Sequence, residues 1–310
     1  MSIPLKRAAT AGVFTLASAA SSFAGQPPAP SFVSGTELVM MNVVVQDERG
    51  SPLDGLPREA FTVFENGVAR AISLFAHHDE PVTIGLVIDA SGSMLANRTR
   101  LAYAVGQFAH TGRPDDEVFA IVVGDDVKPV LPADQPFTSD PQVLMDAVLQ
   151  KLGASGRTAI WDGVRAGLTY LEQGTHARRA LVVISDGQDN ASRTVYADVL
   201  AQVRESSAAV YTLGLIDPLQ MDRRPRTLRQ LAKTSGGDVF FPSSHQAAFD
   251  ALETVATQIR STYTLGFSPA PESRDGRYHQ LRVTVRSSNG KRIDGRTRAG
   301  YVAGGTAGTR

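Results

Sequence analysis

The sequence predicts an α/β protein whose core is a doubly wound, mostly parallel sheet of Rossmann-like type, inserted between the N- and C-terminal segments of a small β-sandwich. Two observations carry this expectation. From Val82 onward, short continuously apolar runs rich in Val and Ile alternate with stretches of helical length and spacing; strands that are apolar on both faces need helices on both faces. On either side of that region the pattern changes to period two broken by turn residues, which reads as a separate all-β unit.

The elements follow in order. Residues 1–24 place Lys6 and Arg7 before the small-residue apolar stretch Ala8–Ala20 and end in Ser22-Phe23-Ala24, the small-x-small pattern of an export signal cleaved after Ala24. The stretch falls short of the roughly 20 residues that span a bilayer, and no later run is long enough to span. Residues 25–35, with Pro27-Pro28-Ala29-Pro30, form a short stiff linker. Residues 36–80 are the first β segment: Leu38–Val45, Phe61–Phe64 and Ala71–Phe75 are apolar runs, and Asn66-Gly67 between two of them is a hairpin signal because both residues tolerate φ > 0. Residues 81–262 are the α/β domain, with strands at Val82–Ile88, Val118–Val123, Leu181–Ile184 and Val210–Leu215. Helices fall at Leu95–Ala109, Pro141–Leu152, Ala159–Leu171, Tyr196–Ser206, Thr227–Thr234 and Gln246–Ile259. Residues 263–303 return to strands, at Tyr263–Phe267, Gln280–Val285 and Arg298–Val302, and 304–310 form a tail. Domain termini often lie close together, so the two β segments are expected to pair.

Composition narrows the chemistry. The 310 residues hold 31 Lys+Arg against 31 Asp+Glu without long like-charge blocks, which argues against a nucleic-acid partner. With no cysteine and only 6 histidines, thiolate zinc, iron–sulfur and cysteine-nucleophile chemistry have no residues to use. Oxygen ligands remain.

In open α/β sheets the ligand crevice lies beyond the carboxyl ends of the strands. The first α/β strand ends there in Asp89-Ala90-Ser91-Gly92-Ser93, and another ends in Ser185-Asp186-Gly187-Gln188-Asp189-Asn190. Between them the Gly-rich loop Gly153–Arg157 presents Thr158 at the start of a helix. One carboxylate and two hydroxyls at alternate positions, joined by a hydroxyl and a carboxylate from two further loops, suit a hard cation.

This D-x-S-x-S / T / D set resembles the metal-ion-dependent adhesion site of von Willebrand factor type A (VWA) domains over about residues 81–262, and the flanks resemble a bacterial exported subfamily of VWA-related proteins. The resemblance implies that Ser91 and Ser93 bind Mg²⁺ directly, Asp89 and Asp186 directly or through water, and Thr158 directly when a partner is bound. Mn²⁺ or Ca²⁺ is able to replace Mg²⁺ at an all-oxygen site. Two carboxylates balance the ion while three neutral hydroxyls leave it electrophilic, so the implied partner is another protein presenting an Asp or Glu carboxylate. The expected protein is an exported, periplasmic or secreted, noncatalytic binding or adhesion module with no membrane span after signal cleavage. Two alternatives stand beside it: a structural subunit that binds through its β-sandwich, and a metal-dependent hydrolase or phosphoryl-transfer enzyme, for which the site loops offer only Asp162 and Asp189 as bases.

Other residues have plainer readings. Asp189 is expected in a turn or N-cap, Asp125-Asp126 in a hairpin turn, Trp161 packed under the site loop, Arg223, Arg224, Arg226 and Arg229 in a solvated cluster, and His77-His78 at the junction of the β unit and the α/β domain. N-terminal sequencing of exported material checks the leader: the mature chain is expected to begin at or near Gly25, and one that retains Lys6 and Arg7 contradicts the export reading.

Overall fold

The computed structural model describes residues 38–77, 80–90, 92, 98–153, 156–215, 226–273, 275–287 and 290–303. The expected leader, linker and tail, together with Ser91, Ser93, Arg223, Arg224 and His78, lie outside the described residues.

The α/β domain is built on six strands: β5 (Val82–Asp89), β6 (Glu117–Val123), β7 (Val127–Pro129), β8 (Arg178–Ser185), β9 (Ala209–Gly214) and β10 (Val239–Phe240), in the spatial order β10-β9-β8-β5-β6-β7. All neighbours are parallel except β6 and β7, which form a hairpin closed by Gly124 N–H donating to the Asp126 carbonyl, the turn expected at Asp125-Asp126. Every residue of β5 is buried, as a central strand covered on both faces requires. Chain order runs outward from β5 to β6 on one side and from β8 to β9 on the other. The crevice at the carboxyl end of β5 is therefore a topological switch point.

Two apolar layers sandwich this sheet. On one face Ile84, Leu86 and Ile88 pack with α1 (Arg98–His110), α2 (Pro141–Lys151) and α6 (His245–Arg260). On the other, Val87, Phe119, Ile121 and Val183 pack with α3 (Ile160–Leu171), α4 (Tyr196–Glu205) and α5 (Arg226–Ser235). Helix α3 lies unusually close to the sheet because Gly163 and Gly167, four residues apart on one helix face, present no side chain. A Cβ at Gly163 would stand 2.4 Å from Val123 Cγ2, and one at Gly167 2.8 Å from Leu181 Cδ1. This approach sets the height of the loop that enters α3.

The β unit is a sandwich assembled from both ends of the chain. Its smaller sheet has the order β1-β11-β4, with β11 (Tyr263–Phe267) antiparallel between β1 (Val39–Val43) and β4 (Leu74–Ala76). Its larger sheet has the order β13-β12-β2-β3, in which β12 (Tyr278–Arg286) pairs with β2 (Phe61–Glu65), with β13 (Arg292–Gly295) and, at its start, with β14 (Gly300–Val302). β2 turns into β3 (Val68–Arg70) through Asn66-Gly67, whose φ values of 49° and 82° are those a two-residue hairpin turn demands. Met41, Val43, Val63, Tyr263, Phe267 and Val283 fill the core between the sheets. The run Ala71–Phe75 divides: residues 71–73 form no strand, and β4 begins only at Leu74. The third expected C-terminal strand is likewise shorter, because Arg298 and Ala299 are used to cross toward the α/β domain.

That crossing ties the two units. Ala299 N–H donates to the Thr234 carbonyl at 3.0 Å, Arg298 donates to the carbonyls of Arg204 and Gly300 at 2.7 and 2.8 Å, and Arg296 donates to the Gly236 carbonyl at 3.1 Å. Burial pulls the Arg298 guanidinium down to about 10, still charged at neutral pH. At the opposite edge of the sheet from the site, the buried Asp116 carboxylate accepts from Val82 N–H at 2.9 Å and from Arg260 at 2.5 Å, fixing the start of β5 to the end of α6. Desolvation raises the Asp116 carboxyl, but the bonds from Arg260, Arg113 and Val82 together outweigh it and hold it below the ordinary range. His77 stacks on Tyr263 with centroids 3.7 Å apart, at the junction where the sequence places it. Among the described residues, no helix is long and apolar enough to cross a membrane.

The close seat of α3 gives a direct test. Gly163→Ala forces a methyl into space already filled by Val123, and overpacking of this kind costs about 1–3 kcal/mol. Denaturant unfolding is expected to report that loss; unchanged stability would mean that α3 does not bear on the sheet at this point.

Candidate functional site

Asp89, the last residue of β5, is fully buried at the switch point. Removing a carboxylate from water is costly unless donors replace the lost solvent, and two hydroxyls do so here. Ser185 Oγ donates to Asp89 Oδ2 at 2.8 Å, and Thr158 Oγ1 lies 3.4 Å from Asp89 Oδ1. Ser185 reaches Asp89 because β5 and β8 run parallel with Ile88 beside Ile184, which brings the next residue of each strand to the same level. Its hydroxyl also accepts from Gly187 N–H at 2.9 Å, so one side chain both orients Asp89 and shapes the turn after β8. Asp186 follows at the rim, half-buried, with Oδ1 accepting from Gln188 N–H at 2.9 Å.

Of the five residues in the expected set, Asp89 and Thr158 are thus brought together and Asp186 stands one residue beyond the Ser185 that touches Asp89; Ser91 and Ser93 lie outside the described residues. Ser185, which bonds Asp89, is a residue of this candidate site that the reading of the sequence missed. Matching the ends of the two apolar runs, Ile88-Asp89 and Ile184-Ser185, would have found it.

The loop after β8 is laced to the entrance of α3. Thr158 N–H donates to Asn190 Oδ1 at 2.8 Å, while Asn190 and Ala191 N–H donate back to the Thr158 carbonyl at 3.0 and 3.1 Å. Arg157 donates to the Asn190 carbonyl at 2.6 Å. Asp189 Oδ1 accepts from Ile160 N–H at 3.0 Å and from Ser192 Oγ at 2.6 Å, and Ser192 Oγ accepts from Trp161 and Asp162 N–H at 3.0 and 3.1 Å. These groups satisfy the first-turn amides of α3, which have no partner within the helix. Asp189 is therefore a cap, as expected, but of α3 across space and not of the helix that follows it in sequence; the N-cap of α4 is Val195, which makes no side-chain cap.

Asp162 is used in the reverse direction, accepting from Thr194 and Arg193 N–H at 2.8 and 2.9 Å. Desolvation raises its carboxyl, but the bonds from Thr194 and Arg193 outweigh that and hold it below the ordinary range. Such a carboxylate is a weak proton acceptor at neutral pH. Trp161 is buried beside Tyr196, ring centroids 5.0 Å apart, in the core beneath the loop. In the arginine cluster, Arg229 lies over the Phe241 ring at 5.7 Å and Arg226 is exposed. Asp125 and Asp126 are exposed in their turn. Among the described residues no three His, Asp or Glu side chains gather at one point; the converging groups at the switch point are a carboxylate and hydroxyls, a donor set suited to a hard cation.

The chain was compared with known proteins. No curated protein sequence matches it. Solved structures that it resembles include a von Willebrand factor type A protein from Catenulispora acidiphila, at 13% identity over 89% of this chain and 76% of the other, with a TM-score of 0.49. The D319A mutant of the PilB minor pilin from Streptococcus sanguinis aligns at 13% identity over 60% of this chain and 63% of that one, TM-score 0.49. The pilus adhesin SpaC from Lactobacillus rhamnosus GG, in its open conformation, aligns at 12% identity over 83% and 49%, TM-score 0.48. The chain thus spans less than two thirds of the length of either pilus protein. The von Willebrand factor type A domain family matches residues 83–258, more than half of the chain, from the second residue of β5 to near the end of α6; the chain belongs to the von Willebrand factor type A domain family.

Proposed function

We propose that this chain is an exported, noncatalytic binding module that holds a divalent cation on Asp89, Ser91, Ser93, Thr158 and Asp186 and engages an Asp or Glu carboxylate of another protein through it. The cation is Mg²⁺, with Mn²⁺ or Ca²⁺ able to take its place. The observation that carries the reading is the buried Asp89 carboxylate at the switch point, with Ser185 on one oxygen and Thr158 beside the other. Oxygens in adjacent positions of an octahedral Mg²⁺ shell, each about 2.1 Å from the ion, lie about 3 Å apart, and the 3.4 Å between Thr158 Oγ1 and Asp89 Oδ1 is close to that separation.

The bound ion supplies Lewis acidity for an anionic ligand. The chain supplies its orientation: Ser185 fixes which Asp89 oxygen faces Thr158, and the loop after β8 brings Asp186 to the same rim. Three hydroxyls and two carboxylates do not overcompensate a 2+ charge, so an incoming carboxylate is a favourable further ligand. The noncatalytic reading rests on the neighbouring carboxylates. Asp162 and Asp189 both accept bonds from backbone amides that join the two loops, and the lowered Asp162 carboxyl is a weak base for water activation. Export rests on residues 1–24.

Thermal unfolding in a series of Mg²⁺ or Mn²⁺ concentrations tests the site. A ligand that binds only the folded chain stabilises it by about 2.7 kcal/mol at one hundred times its Kd, so Tm is expected to rise with the ion and to stop responding in Asp89→Asn and Asp186→Ala. Capture of a partner from the same compartment is expected to fail in chelator and to be reduced by acetate. A Tm indifferent to millimolar cation contradicts the metal site, and capture that survives chelator moves the contact to the β-sandwich.

A further inference from the structure

The resemblance implies that Thr158 binds the cation directly when a partner is bound. The hydrogen bonds around Thr158 identify what holds it in place before that. Thr158 is buried, and its backbone is held on both sides by the loop that carries Asp186: its N–H by Asn190 Oδ1 at 2.8 Å, its carbonyl by the N–H groups of Asn190 and Ala191. The following residues are held by the same loop through Asp189 and Ser192, and the preceding Arg157 through the Asn190 carbonyl. Ala159 N–H, in addition, donates to the Gly124 carbonyl at 2.8 Å, anchoring the segment to the end of β6. Every one of these bonds is internal to the chain, so none waits on a partner. Displacing the Thr158 backbone from Asp89 would break several of them together.

We infer that Asn190 is the positioning residue of Thr158: its side chain fixes the Thr158 amide, and through it the hydroxyl beside Asp89 Oδ1, before any partner arrives. The two site loops then act as one rigid piece, and the cation and the partner meet a preformed cradle. Asn190 is exposed and its side-chain oxygen serves the Thr158 amide. This accounts for an asparagine beside Asp189, the carboxylate of the same loop that caps α3. The inference rests on the cation reading above and deepens it.

The test is a double-mutant cycle on the Kd for Mn²⁺, used alone as the probe and followed by calorimetry and electron paramagnetic resonance on the full chain. Removing groups that orient metal ligands typically weakens the metal by about 10–100-fold. Thr158→Val, which deletes the hydroxyl and keeps the shape, is expected to weaken Mn²⁺ about tenfold, in the lower part of that range. Asn190→Ala is expected to weaken it several-fold in the native background and to add nothing in Thr158→Val, because two groups acting through one contact are not additive. Asn190→Asp keeps the acceptor oxygen and is expected to bind Mn²⁺ at least as tightly as the native chain, which serves as the check should Asn190→Ala fold poorly. Amide hydrogen exchange in chelator supplies a metal-free readout, with Thr158 N–H losing protection in Asn190→Ala and retaining it in Asn190→Asp. Additive losses in the double variant, a native-like Kd in Thr158→Val, or a loss in Asn190→Asp equal to that in Asn190→Ala would overturn the inference while leaving the cation site standing. A native chain that takes up no Mn²⁺ overturns both.

Discussion

A buried carboxylate at the end of the central strand is the constraint around which the α/β domain is arranged. Asp89 ends a strand with no exposed residue, and the cost of desolvating its charge has to be met by groups brought from elsewhere in the chain. Ser185 meets part of it because β8 lies parallel to β5 in the register that levels their ends, and Thr158 because α3 is seated low enough on the sheet to present its entrance there. The low seat in turn depends on Gly163 and Gly167. One charge thus links strand register, helix height and loop conformation.

The β-sandwich gives this arrangement a fixed base. Helix α6 runs into β11 with only Ser261 and Thr262 between them, and β11 is held on both edges by β1 and β4. Arg178 donates to the Glu80 carbonyl at 3.2 Å and also to the Ile259 carbonyl, tying the entry of β5 to the end of α6. Arg296 and Arg298 carry the returning C-terminal segment across to the turn at Gly236 and to the end of α4. Buried arginines whose donors meet backbone carbonyls are well suited to such joints, since the planar guanidinium offers several N–H groups at fixed angles.

Much of this is legible in the residues. β5, β6, β8 and β9 are continuous apolar runs because both faces are covered, and Asn66-Gly67 declares its hairpin through backbone conformation alone. The short edge strands β7, β10 and β13 leave no comparable signal: of three, two and four residues, they are defined by what they pair with. The same holds at the site. The spacing of Asp89, Thr158 and Asp186 marks three loops at one sheet edge, since chain order and strand ends are local facts. That Asp189 and Ser192 cap a helix about thirty residues earlier, and that Asn190 holds Thr158, are contacts made only when two loops meet in space; in sequence Asp189 reads as a local turn or as the N-cap of the helix that follows it. Ser185 falls between these cases, visible only when the ends of two strands are set side by side.

The central claim is that the oxygens around Asp89 form a cation site. Crystals grown with Mn²⁺ and measured at its absorption edge test it most directly. The account predicts an anomalous peak at the carboxyl end of β5, with Thr158 Oγ1 and an Asp89 oxygen both within about 2.4 Å of it, allowing for an ion slightly larger than Mg²⁺. Mn²⁺ bound elsewhere on the chain, with none at Asp89, would contradict it.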